Sequence, residues 1–311
     1  AVQADGSILI VDESTNASLL PYMRSSYGML GIVFEVTFRV KQRRPMAVRH
    51  EGYAVHEFAA KVGTIVGENR SSMLYLFPHL NRVVVERRWE DDGTEIGNRI
   101  LWQFRNLVWG KVSPFLGHTL RWLAERHVPG YLVIDLYYLL LAWGLEKLGH
   151  ARRTDPVDQI IRYPERGGYT AYTFSIWSFP LERYPVVIVE YFKFCNDFYR
   201  EHGFRCDMLN VGYAEAKDES ALFSYTRDGF SVTLDPVATG GRGWDAFLRK
   251  FNEFCIENGG KPLLNQTPHL EPAQVQRAFG PQIELFQVER RRRDPDNRFY
   301  NEYFRHLFED R

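Results

Sequence analysis

The chain has 311 residues, which is enough for one large domain or two ordinary domains with a core each. Its formal net charge is zero and its pI is about 7.3, so the charge balance does not suggest a nucleic-acid partner. Three widely separated cysteines exclude a disulfide framework and a cysteine metal site, and they favour a reducing compartment. The first residues carry no basic region ahead of an apolar run, so we predict no signal peptide and a cytoplasmic protein.

The first predicted elements lie in residues 1–42, where a glycine turn leads into a strand. Residues 25–31 read Ser-Ser-Tyr-Gly-Met-Leu-Gly, and residues 32–39 then alternate between an apolar and a more polar set. This alternation predicts a strand. Glycines directly before a strand, here Gly28 and Gly31, let the backbone approach another group closely, although such turns are more often plain structure.

Residues 46–88 predict a β-α-β-β unit. The expected strands are 46–53, 72–78 and 82–88, and the expected helix is 54–68.

The same order recurs later in the chain. The expected strands are 168–179, 205–215 and 221–235, with helices at 184–202 and 243–258. Two such units predict two ferredoxin-like halves that share one antiparallel sheet, with helices on one face. The other face must then cover something.

Residues 97–165, between the two halves, are predicted to form a helical insert rich in aromatic residues. Its most apolar stretch, residues 131–145, carries only Asp135 as a charge and is shorter than the about 20 residues that a bilayer span needs. One interpretation is a buried helix or an oligomer contact. The other is a peripheral contact with a membrane or a lipid-like substrate, since tryptophans and cations crowd the same region.

The C-terminal residues 294–303 read Asp-Pro-Asp-Asn-Arg-Phe-Tyr-Asn-Glu-Tyr. Asp-Pro predicts the start of a turn, and Asn297 tolerates a left-handed backbone there. If the end of this segment is extended, Asn301 and Tyr303 lie on one face. The alternative is a capped C-terminal helix with both side chains on its surface.

Residues 25–39 and 294–303 resemble segments of the vanillyl-alcohol-oxidase (VAO) type of FAD-linked oxidoreductases. This family includes aldonolactone and alditol oxidases, the decaprenyl-phosphoryl-ribose oxidase and the sterol side-chain reductase. Its patterns read roughly Ser/Cys-x-Gly-x-Leu-Gly-Ile-Ile-Thr-Glu-Val-Thr-Leu-Arg and Asp-Pro-x-Gly-x-Phe-x-Asn-x-Tyr. Residues 259–266 are similar in part to its Gly-Gly-Arg-Pro-His-Trp-Gly-Lys, but the lysine position is Gln266 here, which donates a hydrogen bond without a charge.

The resemblance implies an α+β chain in three parts with FAD as its cofactor. Residues 1–42 would end a VAO-type FAD-binding domain, and residues 43–265 would form a ferredoxin-like antiparallel-sheet substrate cap with the helical insert. Residues 266–311 would return to the FAD domain. The first half of that domain, with its pyrophosphate-binding loop, would lie outside the chain, in cis or on another polypeptide, and the flavin ring would lie against the sheet face without helices.

Individual residues receive roles from the same resemblance and from their strand positions, and no metal site is expected. The residues expected against FAD are Ser26, Gly28, Gly31, Ile32 and Asn301. The residues expected at the catalytic centre are Gln266, Asn301 and Tyr303. The residues expected to face the substrate are Tyr169, Tyr172, Trp177 and Tyr225.

The activity implied is hydride transfer between an alcohol-like or lipid-linked substrate and the flavin. The aromatic insert favours an apolar, membrane-adjacent substrate over a polar sugar lactone or alditol. The alternative is a non-catalytic ligand-binding or assembly subunit that kept the cap architecture. It is motivated by Gln266 in place of lysine and by the absence of the glycine loop.

Overall fold

The computed structural model describes residues 1–42, 44–67, 71–90, 93, 99–127, 129–148, 152–154 and 171–309. The strands are β1 (Met46–Ala54), β2 (Ser71–Phe77), β3 (Arg82–Glu90), β4 (Arg152–Thr154), β5 (Thr173–Phe174), β6 (Trp177–Pro180), β7 (Asn210–Glu215), β8 (Ser231–Leu234), β9 (Val237–Ala238) and β10 (Lys261–Pro262). Eight of them form one antiparallel sheet in the order β10-β6-β8-β7-β2-β3-β1-β4, and β5 pairs with β9. The predicted sheet shared by both halves is therefore confirmed.

The helices agree closely with the periodicity of the sequence. They are α1 (Leu20–Arg24), α2 (Val55–Gly67), α3 (Arg99–Leu107), α4 (Ser113–Ala124), α5 (Gly130–Leu148), α6 (Tyr184–His202), α7 (Trp244–Glu257), α8 (Pro272–Arg293) and α9 (Glu302–Phe308). A π-helical turn, Val108–Val112, joins α3 to α4. Helix α6 ends at Gly203, whose backbone is left-handed with φ of 68°, a conformation that glycine adopts without a Cβ penalty.

Three predicted strands are shorter than expected, and one of them, β7, begins at Asn210 rather than at residue 205. The segment predicted as a strand over 168–179 is interrupted between β5 and β6, and its first residues lie outside the described part of the chain. Residues 221–230 form turns rather than the start of β8. The reason is that their backbone bonds elsewhere, since the amide of Leu222 donates to the carbonyl oxygen of Pro21 and the amide of Phe223 donates to Ser25 Oγ.

The main core lies between the inner face of the sheet and helices α2, α6 and α7. Alternate residues of the central strands point into it, among them Leu74 and Leu76 of β2 and Val83 and Val85 of β3. Their partners from the helices include Phe58, Tyr191 and Phe251, which are fully buried. The strand alternation and the helical stripe thus meet in one apolar layer.

We expected the outer face of the sheet to be free of helices, but the insert packs onto half of it. Tyr75, Phe77 and Val84 lie on this face and form a second apolar cluster with Ile134 and Tyr138 of α5. The other half of the outer face is built from β6, β7 and β8. We call the first part the covered half and the second part, defined by residues below, the polar half.

The two ends of the chain pack together at the edge of the domain near β10. Tyr27 stacks on Phe304 of α9 with 4.9 Å between ring centroids, and α8 packs against α7 and α9. The strand that we predicted over residues 32–39 is not formed, because the one backbone bridge of residues 32–42 in the described structure joins Ile32 to Val2. Phe34, Val36 and Phe38 are consequently exposed.

Candidate functional site

The polar half of the outer face consists of hydroxyl, carboxyl and aromatic side chains on three adjacent strands. In β8, Val232 and Leu234 belong to the main core, so strand alternation places the intervening residues on the outer face. Ala214 packs against the same core, which places its neighbours in β7 on the outer face as well. The polar half comprises Ser178, Tyr213, Glu215, Ser231, Thr233 and Asp235.

Asp235, which directly follows β8, has the most unusual environment of this set. It is 1% exposed, and its backbone exchanges hydrogen bonds of 2.9 and 3.0 Å with Val211. Its Oδ1 atom has no hydrogen-bond partner among the described residues. Burial, reinforced by the negative charge of Glu215, raises the pKa of the Asp235 carboxyl well above its ordinary value. The raised pKa favours the protonated form of this side chain, which can donate a hydrogen bond.

Glu215, at the end of β7, is the second carboxyl group of this face. Burial raises its pKa as well, but Glu215 is only partly buried. The charge of Glu215 contributes to the raised pKa of Asp235. The two carboxyls lie on the same sheet face but are not adjacent, because Glu215 pairs with Ser231 of β8 whereas Asp235 pairs with Val211, four residues earlier in β7. The face thus offers one partly exposed and one buried carboxyl, and acid–base enzymes use carboxyls in such different environments.

Tyr225 lies near both carboxyls, and Tyr27 connects it to Tyr303 of α9. The Tyr225 hydroxyl interacts electrostatically with both carboxyls, and Tyr27 interacts with Tyr225 and Tyr303. Burial, the largest cause in each case, raises the pKa of Tyr27, Tyr225 and Tyr303 to about 12. All three hydroxyls therefore keep their protons at neutral pH.

The C-terminal residues that we predicted as catalytic are placed by a capped helix rather than by an extended segment. Asn301 is the N-cap of α9, where its Oδ1 accepts a hydrogen bond of 3.0 Å from the amide of Phe304. Tyr303 donates to the carbonyl oxygen of Leu264 at 2.6 Å. This bond ties α9 to the turn that contains Gln266, whose side chain is exposed. Tyr303 therefore lies against the turn that contains Gln266, whereas the side-chain oxygen of Asn301 is occupied by the cap.

The turn before this C-terminal helix has the conformation predicted from its sequence. The carboxylate of Asp294 accepts hydrogen bonds of 2.8 Å from the amides of Arg298 and Phe299. Asn297 has a φ of 56°, so it occupies the left-handed region that we expected it to tolerate.

The predicted FAD contacts in the N-terminal segment differ in what they approach. A Cβ atom on Gly31, whose φ is 129°, would lie 2.4 Å from the carbonyl oxygen of Val2, so the close approach at this glycine is to the chain itself. A Cβ on Gly28, at φ of 85°, would meet nothing within 4 Å. Ser26 is buried and Ile32 is 60% exposed.

The four predicted substrate contacts fall in four different places. Tyr225 lies beside the polar half, where its carbonyl oxygen accepts a bond from Ser178 Oγ. Tyr172 is half-buried just before β5. Trp177 lies in the main core instead, fully buried, with its Nε1 donating to Asn252 Oδ1 at 3.0 Å. The interruption after β5 shifts the alternation and turns Trp177 inward. Tyr169 lies outside the described residues.

Sequence reasoning missed both carboxyls and Ser175, whose buried Oγ also has no hydrogen-bond partner in the described structure. A signal for Asp235 was present, because Ser-Val-Thr-Leu-Asp alternates strictly between polar and apolar residues over 231–235. Among the described residues, no group of histidine, cysteine, aspartate and glutamate side chains could hold a metal ion.

Comparison with known proteins relates the chain to solved oxidase structures through its fold. No family profile and no curated protein sequence matches it. A solvent-stable cholesterol oxidase superimposes with a TM-score of 0.60 at 13% identity, covering 94% of this chain and 65% of its own. Cholesterol oxidase from Brevibacterium sterolicum gives 0.59 at 10% identity, covering 86% and 60%. Physcomitrella patens BBE-like 1 gives 0.57 at 13% identity, covering 100% and 64%.

The chain thus spans less than two thirds of the length of each of these proteins. At such identities the likeness concerns the fold. The α+β fold with an antiparallel sheet that we predicted from the sequence is confirmed, and it is the fold that this chain shares with the solved cholesterol oxidase and BBE-like structures.

Proposed function

We propose that the chain forms the substrate cap and part of the cofactor domain of an FAD-dependent oxidoreductase, with the polar half of the sheet as its active surface. The observation that carries the proposal is the buried carboxyl of Asp235 on that face, whose pKa is raised and whose Oδ1 has no hydrogen-bond partner among the described residues. A native structure retains such a costly group where it serves a function. The fold shared with a cholesterol oxidase supports the same reaction class.

The residues of the polar half fit a flavin ring, which is flat and has hydrogen-bonding atoms along one edge. Asp235 Oδ1 and Ser175 Oγ are two buried polar atoms that still need partners. The amide of Gln266 is free to donate from the exposed turn next to Tyr303. Lys261, in contrast, is engaged by Asp228 at 2.7 Å, so we do not assign it the role of the missing family lysine. A bound flavin would supply the hydride acceptor.

The two carboxyls of the chain would handle the proton that accompanies oxidation of an alcohol. Glu215, the less buried of the two carboxyls, would accept the proton of the substrate hydroxyl. Asp235 would remain protonated and hold its hydrogen bond to the bound groups. Tyr225, whose pKa is raised to about 12, would orient the substrate as a neutral donor rather than act as a base.

The remaining part of the cofactor domain, in cis or on another chain, would pack along residues 32–40. Phe34, Val36, Phe38 and Val40 are 58% to 80% exposed along this extended segment. An apolar segment whose backbone lacks sheet partners over most of its length suits the addition of a neighbouring strand. The substrate would be alcohol-like or lipid-linked.

The test is the visible absorption spectrum of the complete protein, together with its variants Glu215→Gln and Asp235→Asn. We expect a flavin spectrum near one equivalent in all three. Bleaching by an alcohol substrate should slow about 100-fold or more in Glu215→Gln, since a general base contributes about that factor. Glu253→Gln, an exposed carboxyl variant on α7, is the matched control.

The possible outcomes distinguish a flavin-dependent enzyme from a non-catalytic subunit. A complete protein that neither contains nor takes up FAD would favour a non-catalytic ligand-binding or assembly subunit. A flavin that bleaches at the same rate in Glu215→Gln and in the control would contradict the role of this face in proton transfer.

A further inference from the structure

Helix α5 of the insert has two apolar faces, and in the described structure one of them is packed against the sheet while the other is exposed. Ile134, Tyr138, Ala142 and Leu145 are buried against the covered half of the sheet. The opposite side carries six large apolar residues that are 50% to 69% exposed, namely Leu132, Val133, Leu136, Leu139, Leu140 and Trp143. Their spacing of three and four residues forms one continuous stripe along the helix.

The neighbouring helices add aromatic residues to this exposed surface. Phe104 of α3 and Phe115 and Trp122 of α4 are 46% to 60% exposed, and α4 packs directly on α5. Large exposed apolar areas on a folded domain mark interaction sites. The stripe on α5 together with these aromatic residues is called the insert surface below.

Among the described residues of the insert, the exposed charges without an ion-pair partner are all positive. Each carboxylate in the described helices of the insert is engaged by an arginine, since Glu125 pairs with Arg121, Asp135 with Arg205 and Glu146 with Arg82. The exposed cations of these helices are Lys111, Arg126 and Lys147, and in the described part of the chain they have no carboxylate partner. Arg126 lies over the ring of Trp122, with its Cζ 3.8 Å from the ring centroid.

We infer that the insert surface binds the surface of an anionic lipid bilayer. Cations beside tryptophan and leucine side chains are the composition that interfacial helices use, because the rings and aliphatic chains enter the headgroup region while the cations meet lipid phosphates. Since one side of α5 is packed on the sheet, the helix lies along the membrane rather than across it. No helix in the described residues is long and apolar enough to cross a bilayer.

A second copy of the chain suits this surface less well. A twofold contact pairs the same patch with itself, so the cations of one copy would approach the cations of the other without carboxylates to neutralise them. Anionic headgroups supply that neutralisation. Lipid binding by the insert surface does not depend on the proposed flavin chemistry.

The test is flotation of the complete protein with vesicles of phosphatidylcholine, with and without phosphatidylglycerol. We expect binding to the anionic vesicles that weakens with salt. The triple variant Leu136→Ser/Leu139→Ser/Trp143→Ser should reduce the affinity by more than about tenfold. Replacing Lys111, Arg126 and Lys147 by glutamine should reduce it by about fivefold for each cation removed.

The matched control is Val186→Ser/Val288→Ser, which removes apolar residues that are 64% and 68% exposed on α6 and α8. Thermal unfolding of every variant checks that the fold is kept. Equal vesicle binding by the triple variant and the control would overturn the inference. So would a protein that ignores anionic vesicles and forms a dimer, measured by light scattering, that the triple variant converts to a monomer.

Discussion

The two halves of the outer sheet face have the same strand pattern and opposite chemistry. On the covered half, Tyr75, Phe77 and Val84 are sealed under α5, and the charge buried there, Glu86, is engaged by arginines. On the polar half, Asp235 is as deeply buried, yet its Oδ1 has no hydrogen-bond partner in the described structure. A buried charge with its partners serves stability, whereas a buried polar atom without a partner points to function.

The charge on the covered half is held by a network that spans the sheet and the insert. Tyr75 donates to Glu86 at 2.5 Å, and Arg105 of α3 donates to Glu86 at 3.2 Å and to the Tyr75 hydroxyl at 2.9 Å. Burial alone would raise the pKa of Glu86, but Arg105 and Arg88 outweigh it and hold that pKa well below its ordinary range. The network therefore fastens the insert to the sheet.

The largest effect is expected from breaking that network. Arg105→Ala leaves Glu86 buried with less compensation, which should lower the free energy of unfolding by about 3–5 kcal/mol. Urea denaturation measures it. Arg126→Ala, an exposed arginine of the same insert, should cost less than about 1 kcal/mol. Similar costs for the two variants would show that the covered half is not held by its buried charge.

The two faces of α5 provide the next comparison. Ile134 is 1% exposed against the sheet, so Ile134→Ala should destabilise the fold by about 2–5 kcal/mol through lost burial and a cavity. Leu136 is 58% exposed, and Leu136→Ala should stay within about 0.5 kcal/mol. The midpoints of denaturant unfolding report both. A large loss from Leu136→Ala would mean that the stripe is buried in the protein in solution.

Asp235 predicts a particular dependence of stability on pH. Its pKa is raised in the folded state, so its contribution to stability is full below the unfolded pKa and is lost as the pH rises through the folded pKa. Relative to Asp235→Asn, the wild-type protein should therefore lose free energy of unfolding as the pH rises above about 4.

Urea unfolding across pH measures this difference, with Glu284→Gln, an exposed carboxyl variant on α8, as control. The control should follow the wild type. If Asp235→Asn also follows the wild type, the carboxyl is not held protonated and the contrast between the two halves disappears.

The smallest effects are expected from removing one tyrosine hydroxyl at each half of the outer sheet face. The buried hydroxyl of Tyr138 donates to the carbonyl oxygen of Asp207 at 2.8 Å, so Tyr138→Phe should cost about 1 kcal/mol. The hydroxyl of Tyr225 makes no hydrogen bond within the described residues, so Tyr225→Phe should leave the unfolding midpoint unchanged. A destabilised Tyr225→Phe would show that this hydroxyl is structural.

The sequence by itself determined the elements of this protein. Alternation predicted β1, β2 and β3, helical periodicity predicted the bounds of α6, and Asn297 predicted the left-handed turn before α9. Such patterns are local, because a period of two or of 3.6 residues depends only on neighbours along the chain.

Only the tertiary structure decided which half of the sheet is covered and which residues meet on the polar half. Alternation places Thr233 and Asp235 on one face, but the cover of that face comes from segments remote in sequence, such as the insert and the turns around Tyr225. The role of Asn301 was likewise decided by its position as the cap of α9. Burial and missing partners, which distinguish Asp235 from an ordinary surface aspartate, arise only when those segments pack together.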